Sequence, residues 1–290
     1  MRLGIITPVL TMLPRAHATW ETDAPWDDVV RVAQAADRLG YHHLSCSEHV
    51  AVPVAAAAER GGRYYDPLAT LGHLSAVTER IRLATYVLVL GYHHPLEIAK
   101  RYGTLDVVSG GRVVLGVGVG SLEEEFDLLG APFTDRGERA DDAMRALRAA
   151  WGRREPVYRG SHHSFDGLVV DPHATRPEVA MWVGGRTARS LRRALALGDG
   201  WAPFGLTRDE VASMLAAEQD AARVGGFEVV LQPGRPLDPT GEPDESEAAL
   251  QRWQAAGATV VSLRFVHHSP AHYVEQLEAA MALSPSERSS

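Results

Sequence analysis

The chain has 290 residues, 45% hydrophobic and 23% charged, with a formal net charge of −8. That is the composition of a globular protein with ample core, and its acidic balance argues against a nucleic-acid partner, which would bring a basic face. Cys46 is the only cysteine, which excludes an internal disulfide framework, while Met1–Leu10 lacks signal-peptide form and no apolar run could span a bilayer, so a cytoplasmic protein without a membrane partner is expected.

Apolar strand-like runs alternate with helical runs along the whole chain. The first strand is Leu3–Thr7. Helix Asp27–Leu39 follows, with Val29, Val30, Ala33 and Ala36 on one stripe and Gly40 as its C-terminal stop. His43–Ser47 reads as the second strand, Pro67–Thr78 as a helix and Ile81–Leu88 as the third strand. Helix Leu96–Val108 and a Ser-Gly-Gly turn lead into the fourth strand, Val113–Val119. No polar side chain interrupts that strand, so both of its faces should be buried, as in a parallel sheet. Glycines at 116, 118 and 120 strip side chains from it, so that another backbone or a flat ligand can approach closely. The acidic run Glu123-Glu124-Glu125 comes next, then helix Arg136–Trp151.

Segment Glu155–Glu178, rich in Pro, His and Gly, departs from the alternation in the manner of a hairpin. The fifth strand, Ala180–Val183, ends in Gly184-Gly185, and helix Arg189–Leu197 leads to a sixth at Gly200–Pro203. Helix Arg208–Arg223, strand Phe227–Gln232, helix Glu245–Ala256, strand Thr259–Phe265 and helix Pro270–Ala282 complete the series. Eight strand–helix units without a break in composition predict an α/β fold. Its form is one TIM (β/α)8 barrel over residues 1–290, with an insertion between strands four and five. A doubly wound open sheet is the alternative, because periodicity does not show closure. A barrel puts functional residues at the carboxyl ends of its strands. There lie Ser47-Glu48-His49, Thr85-Tyr86, Gly118-Val119-Gly120, Gly184-Gly185 and Arg264.

Glu48-His49 directly follows a buried strand, where a His could move a proton near neutral pH and a carboxylate could set its tautomer or touch a ligand. An ordinary surface pair is the bland reading. In Gly184-Gly185-Arg186-Thr187 two glycines expose backbone N–H groups ahead of a helix N-terminus, a cradle for phosphate or simply a tight turn. Gly116-x-Gly118-x-Gly120 is not a dinucleotide fingerprint, because the glycines lie within a strand. The His-His pairs at 42–43, 93–94, 162–163 and 267–268 have no metal-ligand spacing, and no nucleophile elbow is present.

Taken together, these pieces resemble the luciferase-like flavin and deazaflavin oxidoreductases, and most closely their coenzyme F420-dependent branch. The resemblance runs from Leu3-Gly4-Ile5 to the eighth strand. Among its blocks are Ser47-Glu48-His49, Asp66-Pro67-Leu68, Thr104-Leu105-Asp106, Ser109-Gly110-Gly111-Arg112, Leu115–Gly120 with Glu125-Phe126, Arg136-Gly137-x-Arg139, Trp182-Val183-Gly184-Gly185 and Gly198-Asp199-Gly200-Trp201. It implies a planar F420 or FMN ring in the barrel mouth, with His49 handling a proton beside it and Glu48 positioning ring or His. A non-proline cis peptide backing the ring would fall at Thr85-Tyr86, with Leu88 on the same wall. Val119, Gly120 and Glu124 would contact the ring or its side chain, and Gly184, Gly185, Thr187 and Ala188 would hold phosphate.

Two departures stand out. Ser121 occupies the place of the carboxylate found in members that oxidise sugar phosphates, and Glu48 replaces the Asp more usual in the deazaflavin branch. The resemblance thus implies an F420-dependent oxidoreductase passing a hydride between deazaflavin and a small organic substrate. The alternatives are an FMN-dependent monooxygenase using O2 and served by a separate reductase, and a non-catalytic flavin-binding protein. A homodimer is expected from the family. Loops Leu10–Trp26, Val50–Tyr65 and Glu155–Glu178 should shape the substrate pocket, with Trp20, Tyr64, Tyr65 and His163 as candidate lining residues.

Overall fold

The computed structural model describes residues 1–14, 17–218 and 225–283. Eight parallel strands close on themselves: β1 (Arg2–Ile6), β2 (His43–Cys46), β3 (Arg82–Thr85), β5 (Val113–Gly118), β8 (Ala180–Gly184), β9 (Gly200–Ala202), β10 (Glu228–Leu231) and β11 (Val260–Leu263). Closure is complete because Leu83 pairs with Val113 on one side and Leu3 with Val261 on the other. The fold is therefore the expected barrel and not an open sheet. Between successive strands run α1 (Trp26–Leu39), α3 (Pro67–Val77), α4 (Pro95–Val108), α6 (Arg136–Ala150), α7 (Ala188–Leu197), α8 (Arg208–Ala217) and α9 (Pro243–Ala255), and α10 (Pro270–Leu283) closes the ring. Residues 219–223 of the helix predicted to run to Arg223, and 15–16 of the first loop, lie outside the described residues. Among the described residues no helix is long and apolar enough to cross a membrane.

Local chemistry explains where the helices begin and stop. Asp66 accepts the Ala69 N–H at 2.7 Å and Pro67 opens α3, while Gly40, at φ 82°, ends α1 in a left-handed cap. The buried Asp37 carboxylate of α1 accepts N–H groups from Glu79, Arg80 and Ile81 at 2.9, 2.8 and 2.6 Å, fixing the entry to β3. Two short helices escape the sequence reading. α2 (Val54–Arg60) buries none of its residues, so it carries no apolar stripe, and α5 (Glu123–Leu128) is under two turns long. The insertion is the antiparallel hairpin β6 (Tyr158–Arg159) and β7 (Ser164–Phe165), seated on α6 through Asp142.

The lumen is filled, not hollow. Ala84, Val114, Trp182, Ala202, Val230 and Val260 form a buried layer, and the Tyr86 ring packs on it. Fully buried His43 meets Ser262 Oγ at 2.9 Å, and burial drives its pKa down to about 3, so the ring is neutral.

The third strand is the main local surprise. It is interrupted after Thr85 and resumes as β4 (Leu88–Val89), which pairs with Val117 and Gly118 of β5. The non-proline cis bond is Tyr86-Val87, one residue beyond the expected Thr85-Tyr86. Thr85 still sits in register with Cys46, and Tyr86 N–H donates to Cys46 O at 2.8 Å, so the Thr85-Tyr86 peptide belongs to the ladder and the chain leaves it only afterwards. The glycines of the fourth strand serve this detour. A Cβ on Gly116 would lie 2.1 Å from Thr85 O, and one on Gly118 would lie 2.7 Å from the Val87 side chain. Of the two readings of that glycine run, these two positions admit another stretch of the chain.

Candidate active site

Three consecutive residues at the end of β2 do different jobs at the barrel mouth. Ser47 Oγ donates to Tyr86 O at 2.7 Å. Glu48 is 7% exposed: one oxygen accepts the Val89 N–H at 2.6 Å and the other pairs with His93 Nε2 at 2.7 Å. Glu48 thus braces the chain on both sides of β4 and makes no hydrogen bond to His49. Burial pulls His93 toward neutrality, but its hydrogen bond to Glu48 outweighs this and raises its pKa.

His49 takes its partner from another strand–helix unit. Its Nδ1 lies 2.7 Å from Glu125 Oε2, an oxygen that also accepts the Tyr92 hydroxyl at 2.7 Å. The other oxygen accepts the N–H of Val50 and, at 3.2 Å, that of Ala51. Glu125 is 1% exposed. Burial alone would push its carboxyl up, yet the hydrogen bonds from Tyr92 and His49 and the histidine's charge hold it below the usual value. An ionised acceptor at Nδ1 selects the tautomer with the proton there, leaving the Nε2 lone pair as the nitrogen able to take a proton. The Tyr64 ring packs edge-on against His49, centroid to centroid 4.5 Å.

Glu124, the acidic residue expected to face the ring, is exposed, and its neighbour Glu125 turns inward. The signal was legible: Leu122, Glu125 and Phe126 stand three and four apart, the buried face of α5. Thr85 is buried, with its hydroxyl donating to Gly116 O at 2.7 Å. Leu88 is buried, and Tyr86 OH is buried without a hydrogen-bond partner among the described residues. Val119 and Gly120 are half-buried at the tip of the fourth strand, where Arg136 Nε donates to Gly120 O at 3.1 Å.

The turn after β8 has the form of an anion seat. Gly185 has φ 127°, and a Cβ there would lie 2.7 Å from Ser190 Cβ. Thr187 caps α7, its Oγ1 accepting Ser190 N–H at 3.3 Å, while Ala188 and Arg189 open the first turn with no acceptor of their own within the helix. Trp201 Nε1 donates to Gly185 O at 3.2 Å and to Ser190 Oγ at 3.3 Å, bracing the turn. Exposed Arg186 and Arg189 flank it. A side-chain-free turn, unused helix N–H groups and two guanidinium groups fit a phosphate-bearing cofactor. Trp201 and Arg136 went unassigned in the sequence reading because their contacts join separate strand–helix units.

Of the candidate pocket residues, only Tyr64 touches His49 among those described. Trp20 donates to His267 Nδ1 at 2.9 Å, Tyr65 stacks on Trp26 at 5.7 Å, and His163 faces His94 at 5.5 Å beside the hairpin.

Comparison with known proteins agrees with this layout. A family model described as luciferase-like monooxygenase matches residues 1–288. An uncharacterized protein of Mycobacterium tuberculosis is 32% identical over 268 residues, covering 86% of this chain and 92% of that one. Among solved structures, the monooxygenase RslO1 from Streptomyces bottropensis superposes with TM-score 0.79 at 23% identity, covering 97% of this chain and 98% of its own. An F420-dependent secondary alcohol dehydrogenase in complex with an F420-acetone adduct gives TM-score 0.77 at 14% identity, with the same coverage. At those identities the two structures speak to the fold alone.

Proposed function

This chain belongs to the luciferase-like monooxygenase family, a family of oxidoreductases, and from that premise we propose that it is an F420-dependent oxidoreductase acting on a small organic substrate. The observation that carries the chemistry is the His49–Glu125 pair, a histidine at the barrel mouth with one nitrogen committed to a buried carboxylate and the other available. The deazaflavin, when bound, supplies hydride chemistry. The chain's own part is to bind and orient. Gly184, Gly185, Thr187 and Ala188 offer backbone donors to the phosphate, and Tyr86, Leu88 and Val119 form a wall for the ring. His49 Nε2 holds or accepts the proton that leaves or joins the substrate as the hydride moves, and closing the mouth over both reactants keeps water out. Glu48 supports this at one remove, by fixing the segment that carries the wall.

A second reading, an FMN-dependent monooxygenase supplied by a separate reductase, is favoured by the monooxygenase named among the solved structures. Titration of the purified protein with F420 and FMN, each oxidised and reduced, separates the two. Tight selective F420 binding that weakens at least tenfold in Gly185→Asp is the expected result. Selective FMN binding with fast reaction of the reduced complex with O2 would replace it by the second reading, and binding of neither would remove the cofactor assignment.

A further inference from the structure

The site described so far leaves one strong group at the mouth without a task. Arg264 ends the eighth strand and lines a cleft with Thr7, Thr11, Glu21, His267 and Tyr273, enclosing about 330 Å³ and open to solvent. Its guanidinium is largely withdrawn from water, with Tyr64, Tyr86, Tyr273 and Glu21 as its charged or phenolic surroundings. Yet it makes no hydrogen bond and no ion pair among the described residues. The contrast with other arginines is plain. Arg112 holds three backbone carbonyls, Arg176 grips Asp106, and Arg136 holds Gly120 O.

The nearby acids and bases do not neutralise Arg264 by contact. Glu21 has both oxygens engaged, accepting Val9 N–H and Ala18 N–H at 2.7 Å each, and its closest side-chain cation is His267 at 3.5 Å. That His267 is kept neutral, because burial lowers its pKa to about 4 and its Nδ1 accepts from Trp20. A desolvated guanidinium with five unused N–H donors is costly to maintain unless something occupies them, and its planar fork matches a carboxylate.

We propose that Arg264 is the seat for a carboxylate carried by the substrate, so that this enzyme acts on small organic acids. Resting as it does on the oxidoreductase reading above, the inference names the substrate class for the same mouth. The placement supports substrate over cofactor as the source of the anion. Strand β11 is three positions around the barrel from β8, whose glycine turn is the seat for the cofactor phosphate, and Arg264 shares the Tyr64 side of the mouth with His49. A substrate with its acid on Arg264 therefore presents its remaining carbons toward Tyr64 and His49. The buried Tyr86 hydroxyl, without a partner, faces the same space and is a further donor for that carboxylate.

The test uses the purified full chain, with and without saturating F420 or FMN, titrated by calorimetry with acetate and benzoate and with benzamide as the neutral match of benzoate. Both carboxylates should bind and benzamide should not. Arg264→Gln should lose carboxylate affinity at least tenfold and Arg264→Lys should fall between, while both variants keep cofactor affinity within twofold and unfold at the wild-type temperature within a few degrees. Equal carboxylate binding by wild type and Arg264→Gln, or none by wild type, overturns the proposal. A parallel loss of cofactor affinity in both Arg264 variants overturns it too, by giving the guanidinium to the cofactor. Arg264-dependent carboxylate binding in a protein that takes neither F420 nor FMN keeps the anion seat and removes the oxidoreductase reading.

Discussion

Glu125 gives His49 a defined chemistry, because a lone histidine at a barrel mouth has two equivalent tautomers and two rotamers to choose from. With Nδ1 bound to an ionised carboxylate that is itself held by Tyr92 and two backbone N–H groups, one arrangement is selected. His49→Ala should lower kcat by roughly two to four orders of magnitude, the usual weight of a positioned acid–base group. Glu125→Gln keeps the ring but loses the charge that fixes its tautomer, and should cost about a hundredfold in kcat with cofactor Kd unchanged within twofold. Steady-state kinetics beside a binding titration checks this, and an equal loss of cofactor affinity in Glu125→Gln would reduce the residue to a support for the fold. Reading the chain alone finds His49 and the acidic run. Choosing Glu125 over Glu124 needs the helical phase of α5, which so short a segment states only faintly.

At the scale of elements, buried carboxylates tie the insertions and turns to the barrel. Asp142 of α6 accepts the Tyr158 hydroxyl at 2.7 Å and the N–H groups of Ser161, His162 and His163 at 3.2, 2.9 and 2.8 Å, so one side chain pins the hairpin turn. Burial raises its pKa, but those hydrogen bonds more than offset that and bring it to about 2 from 3.8. A depressed folded-state pKa stabilises above the unfolded value. The contribution, about 2 kcal/mol, is complete above pH ~4 and fades as pH falls toward 2. Asp142→Asn should remove it, flatten the acid limb of the stability curve between those limits, and strip hydrogen-exchange protection from residues 158–165 first. Denaturant titrations at pH 7 and pH 3 give the check, and an unchanged difference between the two pH values would show the carboxylate to be a bystander. The glycine run and the strand break are a matched pair at this scale. Gly116 and Gly118 were legible as places of close approach, but that the approaching group is the chain at Thr85 and Val87 appears only once β3 and β5 are side by side.

For the whole molecule, closure brings chain-distant residues to one rim. His49, Glu125 and Arg264 come from three strand–helix units, and Leu3 is in register with Val261 across nearly the full length. The expected homodimer is a property of this scale. Light scattering on the purified protein should give twice the 31.4 kDa protomer mass, and a monomer at micromolar concentration would refute it. The sequence by itself determined the eightfold alternation, the order of the strands, the insertion after the fourth and the histidine at the end of the second. All of these are written in local periodicity, turn residues and adjacency. Only the tertiary structure decided that Glu48 serves His93 while Glu125 serves His49, that Trp201 braces the glycine turn, and that Arg264 stands unpaired. Hydrogen-bond partners are chosen by distance in space, and no pattern along a chain records which distant carboxylate a ring nitrogen will meet.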